Sequence, residues 1–178
     1  MRLLITGGAG FIGTNATAAF LPKCSSITIL DNFSRKTSKK NANYLKTLGK
    51  KVTIVKGEAQ DKKLVTSLVE ENDVILHLAG QVAVTTSLLK PYKDFSTNVL
   101  GSMTVLEAAR KHNPKAILMY SSTNKVYGSL EGKWIPGSSP RMTMNGISET
   151  QPLDFYSPYG CSKGTADQYF HDYYRSLF

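Results

Sequence analysis

The strongest constraint on this chain is a turn built from glycine. Met1-Arg2-Leu3-Leu4-Ile5-Thr6 runs directly into Gly7-Gly8-Ala9-Gly10-Phe11-Ile12-Gly13. Gly8, Gly10 and Gly13 satisfy G-x-G-x-x-G, and Gly7, Gly10 and Gly13 satisfy G-x-x-G-x-x-G. An apolar, β-rich run precedes the turn and a run with helical periodicity, Phe11–Leu21, follows it, so the glycines join a strand to a helix. Glycine allows the turn to be tight and lets the backbone approach a pyrophosphate. The helix start then offers unpaired N–H groups and the positive end of its dipole to the phosphates. The pattern predicts a dinucleotide site.

The remaining sequence repeats the strand-then-helix rhythm. Strand-length apolar runs recur at Leu3–Thr6, Ile27–Leu30, Val52–Val55, Val74–Leu78 and Ala116–Tyr120. They are short and nearly continuous, as strands buried on both faces are. Helical periodicity covers Phe11–Leu21, Lys62–Glu71, Phe95–His112 and Tyr159–Leu177, and Asn41–Leu48 can form a shorter helix. This alternation predicts an α/β fold, a Rossmann-type doubly wound parallel sheet, in one domain over residues 1–178. Five strands are one fewer than such a sheet usually has. The expectation is therefore the N-terminal part of a longer protein, with a C-terminal substrate-binding part missing. Residues 128–158, rich in Gly, Ser, Pro and Met, break the rhythm and read either as a substrate-facing loop or as a surface insertion.

Composition narrows the setting. Hydrophobic residues make up 41% and charged residues 20%, ordinary for a globular chain. No apolar run nears the ~20 residues that span a bilayer, and the N-terminus lacks the regions of a signal peptide. Cys24 and Cys161 make no disulfide framework, so a cytoplasmic location is expected. The formal charge is +9, much of it between Arg35 and Lys56. No recognition helix or aromatic–basic interleaving accompanies these residues, so the excess reads as a solvated face rather than a nucleic-acid site. His77, His112 and His171 have no metal-ligand spacing, and no metal is expected.

Further residues give the site a chemistry. Asp31 ends the second strand, 18 residues past Gly13. A carboxylate there accepts from both ribose hydroxyls of an adenosine and repels a 2′-phosphate, which favours NAD over NADP. Tyr159 and Lys163 are four apart at the start of the last helix and share one face. A neighbouring ammonium lowers the pKa of a phenol from its usual ~10, so Tyr159 can act as a base. The fifth strand leads into Ser121-Ser122-Thr123, at the edge where ligands of parallel sheets bind. Thr123 can hydrogen-bond a reacting hydroxyl. The fourth strand ends at Leu78-Ala79-Gly80-Gln81 on the same edge.

These stretches together resemble the nucleotide-sugar epimerase/dehydratase branch of the extended short-chain dehydrogenase/reductase superfamily. TGGAGFIG (6–13), DNFSRK (31–36), HLAGQVAVTTS (77–87), NVLG (98–101), YSSTNKVYG (120–128) and SPYGCSKGTADQY (157–169) carry the resemblance. It implies an NAD-dependent isomerase acting on a nucleotide-sugar substrate, with Tyr159 as base, Lys163 as its electrostatic partner and Thr123 as helper. Cofactor contacts are implied for Gly7, Gly10, Phe11, Ile12 and Gly13 in the turn, and for Asp31, Asn32, Ser34 and Arg35 after the second strand. Glu58 and Ala59 follow the third strand, where the family usually has Gly-Asp. Leu78, Ala79, Gly80, Gln81 and Asn98, then Ser121 and Ser122 with Tyr159 and Lys163, complete the implied set.

Sugar 4,6-dehydratases of this branch carry Asp-Glu after the threonine. Asn124-Lys125 stands there, so the resemblance implies epimerisation rather than dehydration. Its wording points to C2 of a CDP-activated dideoxyhexose, through transient oxidation to a ketone. Two alternatives stay open: another epimerase or reductase, working like UDP-galactose 4-epimerase, and a non-catalytic NAD-binding fragment. The family dimerises through two helices per subunit, here Phe95–His112 and Tyr159–Leu177, so a homodimer is expected of the full-length protein.

Overall fold

The computed structural model describes residues 1–128 and 147–178. Most of the expected 128–158 segment, residues 129–146, lies outside the described residues. Among those described, five strands form one parallel sheet: β1 (Arg2–Thr6), β2 (Ser26–Asp31), β3 (Val52–Lys56), β4 (Val74–His77) and β5 (Ile117–Tyr120), in the order β3-β2-β1-β4-β5. The helices are α1 (Phe11–Phe20), α2 (Lys36–Thr47), α3 (Lys62–Glu70), α4 (Val84–Leu89), α5 (Pro91–Phe95), α6 (Gly101–His112) and α7 (Ser157–Ser176). The doubly wound sheet expected from the alternation is present, Rossmann-like in order.

Alternate strand residues serve opposite faces. Leu4, Leu30 and Ile75 pack with Val65, Val69, Val105 and Ala109 beneath α3 and α6. Leu3, Ile5, Ile27 and Ile29 pack with Ala9 and Leu45 on the α1 and α2 side. Both faces need apolar residues, which is why the runs in the sequence are continuous rather than alternating. Register brings the carboxyl ends level: Thr6 pairs with Leu30 and His77, and His77 pairs with Tyr120.

The helices differ from expectation in three places. The helix expected over Asn41–Leu48 starts at Lys36 instead. Its buried positions include Ser38 with Ala42 and Leu45, and a serine in the core stripe hides the period. Val84–Leu89, a β-branched run, forms α4, where Ser87 is buried and its hydroxyl donates to Val84 O. The single helix expected over Phe95–His112 is α6 preceded by a π-turn at Ser96–Leu100 and by α5, which opens at Pro91.

A buried polar chain joins the strand ends to the helices. Ser102 Oγ donates to Asn98 O at 2.6 Å, so it accepts from His77 Nε2 at 3.1 Å. His77 Nδ1 then accepts from Thr6 Oγ1 at 2.6 Å, and Thr6 Oγ1 accepts from Ala79 N at 3.2 Å. The network itself assigns the tautomer. Burial, with the Lys163 charge adding to it, pulls the His77 pKa down from 6.5 to about 3.

The unfolded chain therefore takes a proton at His77 near 6.5, while the folded chain resists it until about 3. The stability from neutral His77 is complete above the upper value and falls as pH drops through the window. Urea unfolding between pH 6.5 and 4 is expected to lose up to about 1.4 kcal/mol per pH unit more in the wild type than in His77→Gln. Equal slopes would refute this.

Candidate active site

The glycine turn is held by close packing. Gly7 has φ +67° and donates to Leu30 O at 2.7 Å, and a Cβ on it would lie 2.7 Å from Ala79 N. A Cβ on Gly13 would lie 2.5 Å from Gly8 Cα. These positions exclude a side chain, because the atoms it would meet are backbone. Gly10 caps α1 without any side-chain hydrogen bond, so the first N–H groups of the helix, at Phe11, Ile12 and Gly13, stay available to an anion. Phe11 and Ile12 are themselves exposed beside it.

Asp31 does more than the sequence suggests. Its carboxylate is buried; Oδ2 accepts from Ala9 N at 3.0 Å and Oδ1 from Phe33 N at 2.8 Å. It pins the glycine turn to the end of β2 and holds Phe33, whose φ is +56°. Each oxygen keeps a lone pair for a ribose hydroxyl. Beyond it lies an open groove of about 260 Å³ lined by Asn32, Ser34, Glu58, Gln60, Lys93 and Ser96. Asn32 Nδ2 donates to Glu58 Oε2 at 3.0 Å, and Ser34 N donates to Asn32 Oδ1 at 2.9 Å. Arg35 is exposed at the start of α2. Ala59 is buried against Gly101, so its side chain faces α6 rather than the groove. Gln60 has a buried Oε1 with no hydrogen-bond partner among the described residues.

The segment after β4 crosses the same edge. Leu78 N donates to Thr6 O at 3.0 Å, and the Leu78 side chain packs on the core below α1. A Cβ on Gly80 would lie 3.1 Å from Asn98 Oδ1. Gln81 N donates to that oxygen at 2.7 Å. Asn98, buried in the π-turn, thus shapes the loop rather than presenting its amide to an open surface.

The candidate catalytic residues meet at the end of β5. Thr123 caps a 3₁₀ turn over Asn124–Tyr127, its Oγ1 accepting from Lys125 N at 3.3 Å. The threonine proton has no acceptor among the described residues. The first turn of α7 abuts this turn: a Cβ on Gly160 would lie 2.9 Å from Lys125 O. Tyr159 N donates to Ser87 Oγ at 3.1 Å, and its half-buried phenol makes no hydrogen bond among the described residues. Lys163 is 8% exposed. Its Nζ donates to Ser121 O at 2.5 Å and sits 4.1 Å from the centre of the Tyr120 ring. Burial pulls its pKa down to about 8, against the opposing charges of Asp167 and Asp94. Ser121 contributes its carbonyl, while Ser122 is exposed.

The sequence reading missed Gln60, and it missed the buried Asp94 and Ser162 that hold Asn98 and Gln81. Gln60 carries a signal, because it lies two residues past Glu58. Asp94 carries none, because only the tertiary fold buries it. Among the described residues, no group of three or more His, Cys, Asp or Glu is placed to hold a metal ion, and no helix is long and apolar enough to cross a membrane.

The edge as a whole fits a dinucleotide. A side chain at Gly7 or Gly13 would strike backbone and push the turn off the sheet edge, the α1 start has no side-chain cap, and Gln60 Oε1 has no donor among the described residues. These features define an α/β protein of the dinucleotide-binding, Rossmann class. More narrowly, the chain belongs to the GDP-mannose 4,6 dehydratase family of NAD-dependent epimerases and dehydratases, whose pattern matches residues 4–177.

It is 46% identical over 181 residues to the CDP-paratose 2-epimerase of Salmonella typhi, covering 98% of this chain and 53% of that protein. It is 38% identical over 169 residues to a dTDP-glucose 4,6-dehydratase of Mycolicibacterium smegmatis, covering 94% of this chain and 47% of that one. The crystal structure of DesIV, a dTDP-glucose 4,6-dehydratase from Streptomyces venezuelae with NAD bound, superposes with a TM-score of 0.84 at 28% identity, covering 99% of this chain and 52% of DesIV. The chain spans about half the length of the curated relatives it matches.

Gly13→Ala is expected to lower the unfolding free energy by about 2–3 kcal/mol, because backbone rather than a flexible side chain meets the new methyl group. Gly49→Ala, where a Cβ meets nothing within 4 Å, is the comparison, expected to cost about 1 kcal/mol from its positive φ alone. Urea titration of both variants checks the difference, and equal losses would refute it.

Proposed function

We propose that residues 1–178 are the NAD-binding and proton-transferring part of a nucleotide-sugar epimerase that inverts C2 of a CDP-activated dideoxyhexose, converting CDP-paratose to CDP-tyvelose. The observation that carries this reading is the buried Lys163 ammonium held at Ser121 O, one turn after Tyr159 and on the same sheet edge as the glycine turn. The N–H groups at the α1 start take the pyrophosphate, and Asp31 takes the adenosine ribose. Gln60 and Glu58 accept from the adenine amine in the groove beyond.

NAD, when bound, supplies the hydride acceptor and afterwards the hydride donor. Tyr159 as phenolate takes the proton of the C2 hydroxyl while the hydride leaves C2, giving the ketone. Lys163 stabilises that phenolate by charge, and Thr123 donates to the reacting oxygen. Return of hydride to the other face of the carbonyl, with the Tyr159 proton returning to oxygen, inverts the centre. Asn124 and Lys125 cannot serve as the carboxyl acid and carboxylate base of a dehydration. The 46% identity to a CDP-paratose 2-epimerase supports the choice of substrate. The exposed Leu100, Tyr169 and Tyr174 support pairing of the α6 and α7 faces between two copies of the whole protein.

The whole protein, incubated with CDP-paratose and NAD, is expected to yield the C2 isomer by NMR. Parallel reactions with UDP- and dTDP-sugars are expected to stay unchanged. Tyr159→Phe is expected to lower kcat about 10²–10⁴-fold while NAD stays bound. Turnover of a UDP- or dTDP-sugar instead would overturn the substrate, and full activity of Tyr159→Phe would overturn the base.

A further inference from the structure

Asp94 takes no part in the chemistry above, yet three elements converge on its carboxylate. It lies near the end of α5 at 1% exposure. Its Oδ2 accepts from Ser162 Oγ on α7. Its Oδ1 accepts from Gln81 Nε2, in the loop after β4, at 2.9 Å, and from Asn98 Nδ2, in the π-turn, at 3.4 Å. Asn98 closes the circuit, donating to Ser162 Oγ at 2.9 Å and accepting from Gln81 N at 2.7 Å. No Lys, Arg or His pairs with Asp94 among the described residues. A buried carboxylate without a cation is tolerated only when its oxygens are satisfied by hydrogen bonds, so the donors and Asp94 hold one another in place. An inserted residue that makes a π-turn is a further mark of a functional position.

We propose that Asp94 is a positioning residue, whose buried carboxylate clamps the first turn of α7 to the loop after β4 and so sets where Tyr159 and Lys163 stand. What is being positioned rests on the proposed function; the clamp does not. Asp94 also acts on Lys163 through charge. The groups facing Lys163 are Tyr120 from β5, neutral His77 from β4, Asp167 from α7 and Asp94 from α5. Asp94 and Asp167 favour the ammonium against burial, and a protonated Lys163 is the form that stabilises a phenolate.

Two variants test this on the chain itself, by amide hydrogen exchange and by NMR titration of the ¹⁵N-labelled Lys163 ammonium. In Asp94→Ala, exchange at the Gln81 amide is expected to rise about tenfold or more, with Ile5 and Ile29 in the sheet unchanged. The Lys163 midpoint is expected to fall by about one pH unit, because an opposite charge is lost. Asp94→Asn is expected to restore Gln81 protection, since an amide oxygen still accepts from Gln81 Nε2 and Asn98 Nδ2 and so keeps Asn98 Oδ1 on the Gln81 N–H, but not the Lys163 midpoint. Wild-type exchange at Gln81 in a folded Asp94→Ala, or an unmoved midpoint in Asp94→Asn, overturns the proposal. If Asp94→Ala does not fold, the Asp94→Asn midpoint alone decides. Failure of the wild-type chain to bind NAD would count against the proposed function and would not alter either readout.

Discussion

The arrangement of the carboxyl edge depends on how closely α1 can approach the end of β1. Gly13 rests on Gly8, and Gly7 turns through a left-handed conformation against the backbone of Ala79. A methyl group at either place would push the helix start away from the sheet. With the glycines in place, the helix dipole and its free N–H groups point at the edge where β1, β2, β4 and β5 all end. The Asp31 carboxylate then ties the turn to β2 through Ala9. One steric condition thus creates an anion site, and one buried charge keeps it in register with the next strand.

A second layer of order comes from polar groups that would be costly to bury unpaired. Thr6, His77 and Ser102 run from β1 through β4 to α6, and Asp94, Asn98, Gln81 and Ser162 run from α5 through the π-turn to α7. Each group loses water on folding and regains a partner only in one geometry. The apolar layers above and below the sheet supply most of the stability, but they tolerate small shifts. The polar chains do not, and they lie directly beneath the edge that carries Thr123, Tyr159 and Lys163.

Much of this was legible in the residues. Continuous apolar runs marked the strands because both sheet faces are covered, and the glycine turn, Asp31 and the Tyr159/Lys163 spacing are local patterns that survive in one dimension. Reading failed where tertiary contacts overrode local preference. Ser38 in a core stripe hid the start of α2, and the β-branched Val84–Thr86 run became helical once Ser87 was buried against Tyr159 N. Asp94 carries no local signal, because only the packing of α5 against α7 and the loop after β4 buries it. Asp31 was expected to serve a ligand alone, and the fold gives its oxygens two backbone donors first.

By itself the sequence determined the class of fold, the location of the dinucleotide turn and the placing of Tyr159 and Lys163 on one helical face, because strand period, glycine geometry and helical spacing are properties of short segments. Only the tertiary structure decided the state of those residues. Lys163 is buried, and its pKa falls to about 8, because β5, the π-turn and α7 close around it. His77 is neutral because the sheet and its helices shut out water, and the Lys163 charge opposes a second one beside it. Asp94 is a clamp because three segments far apart in the chain bring their donors to one carboxylate. Desolvation and convergence of distant segments have no signature along a chain, and they set the electrostatics of this edge.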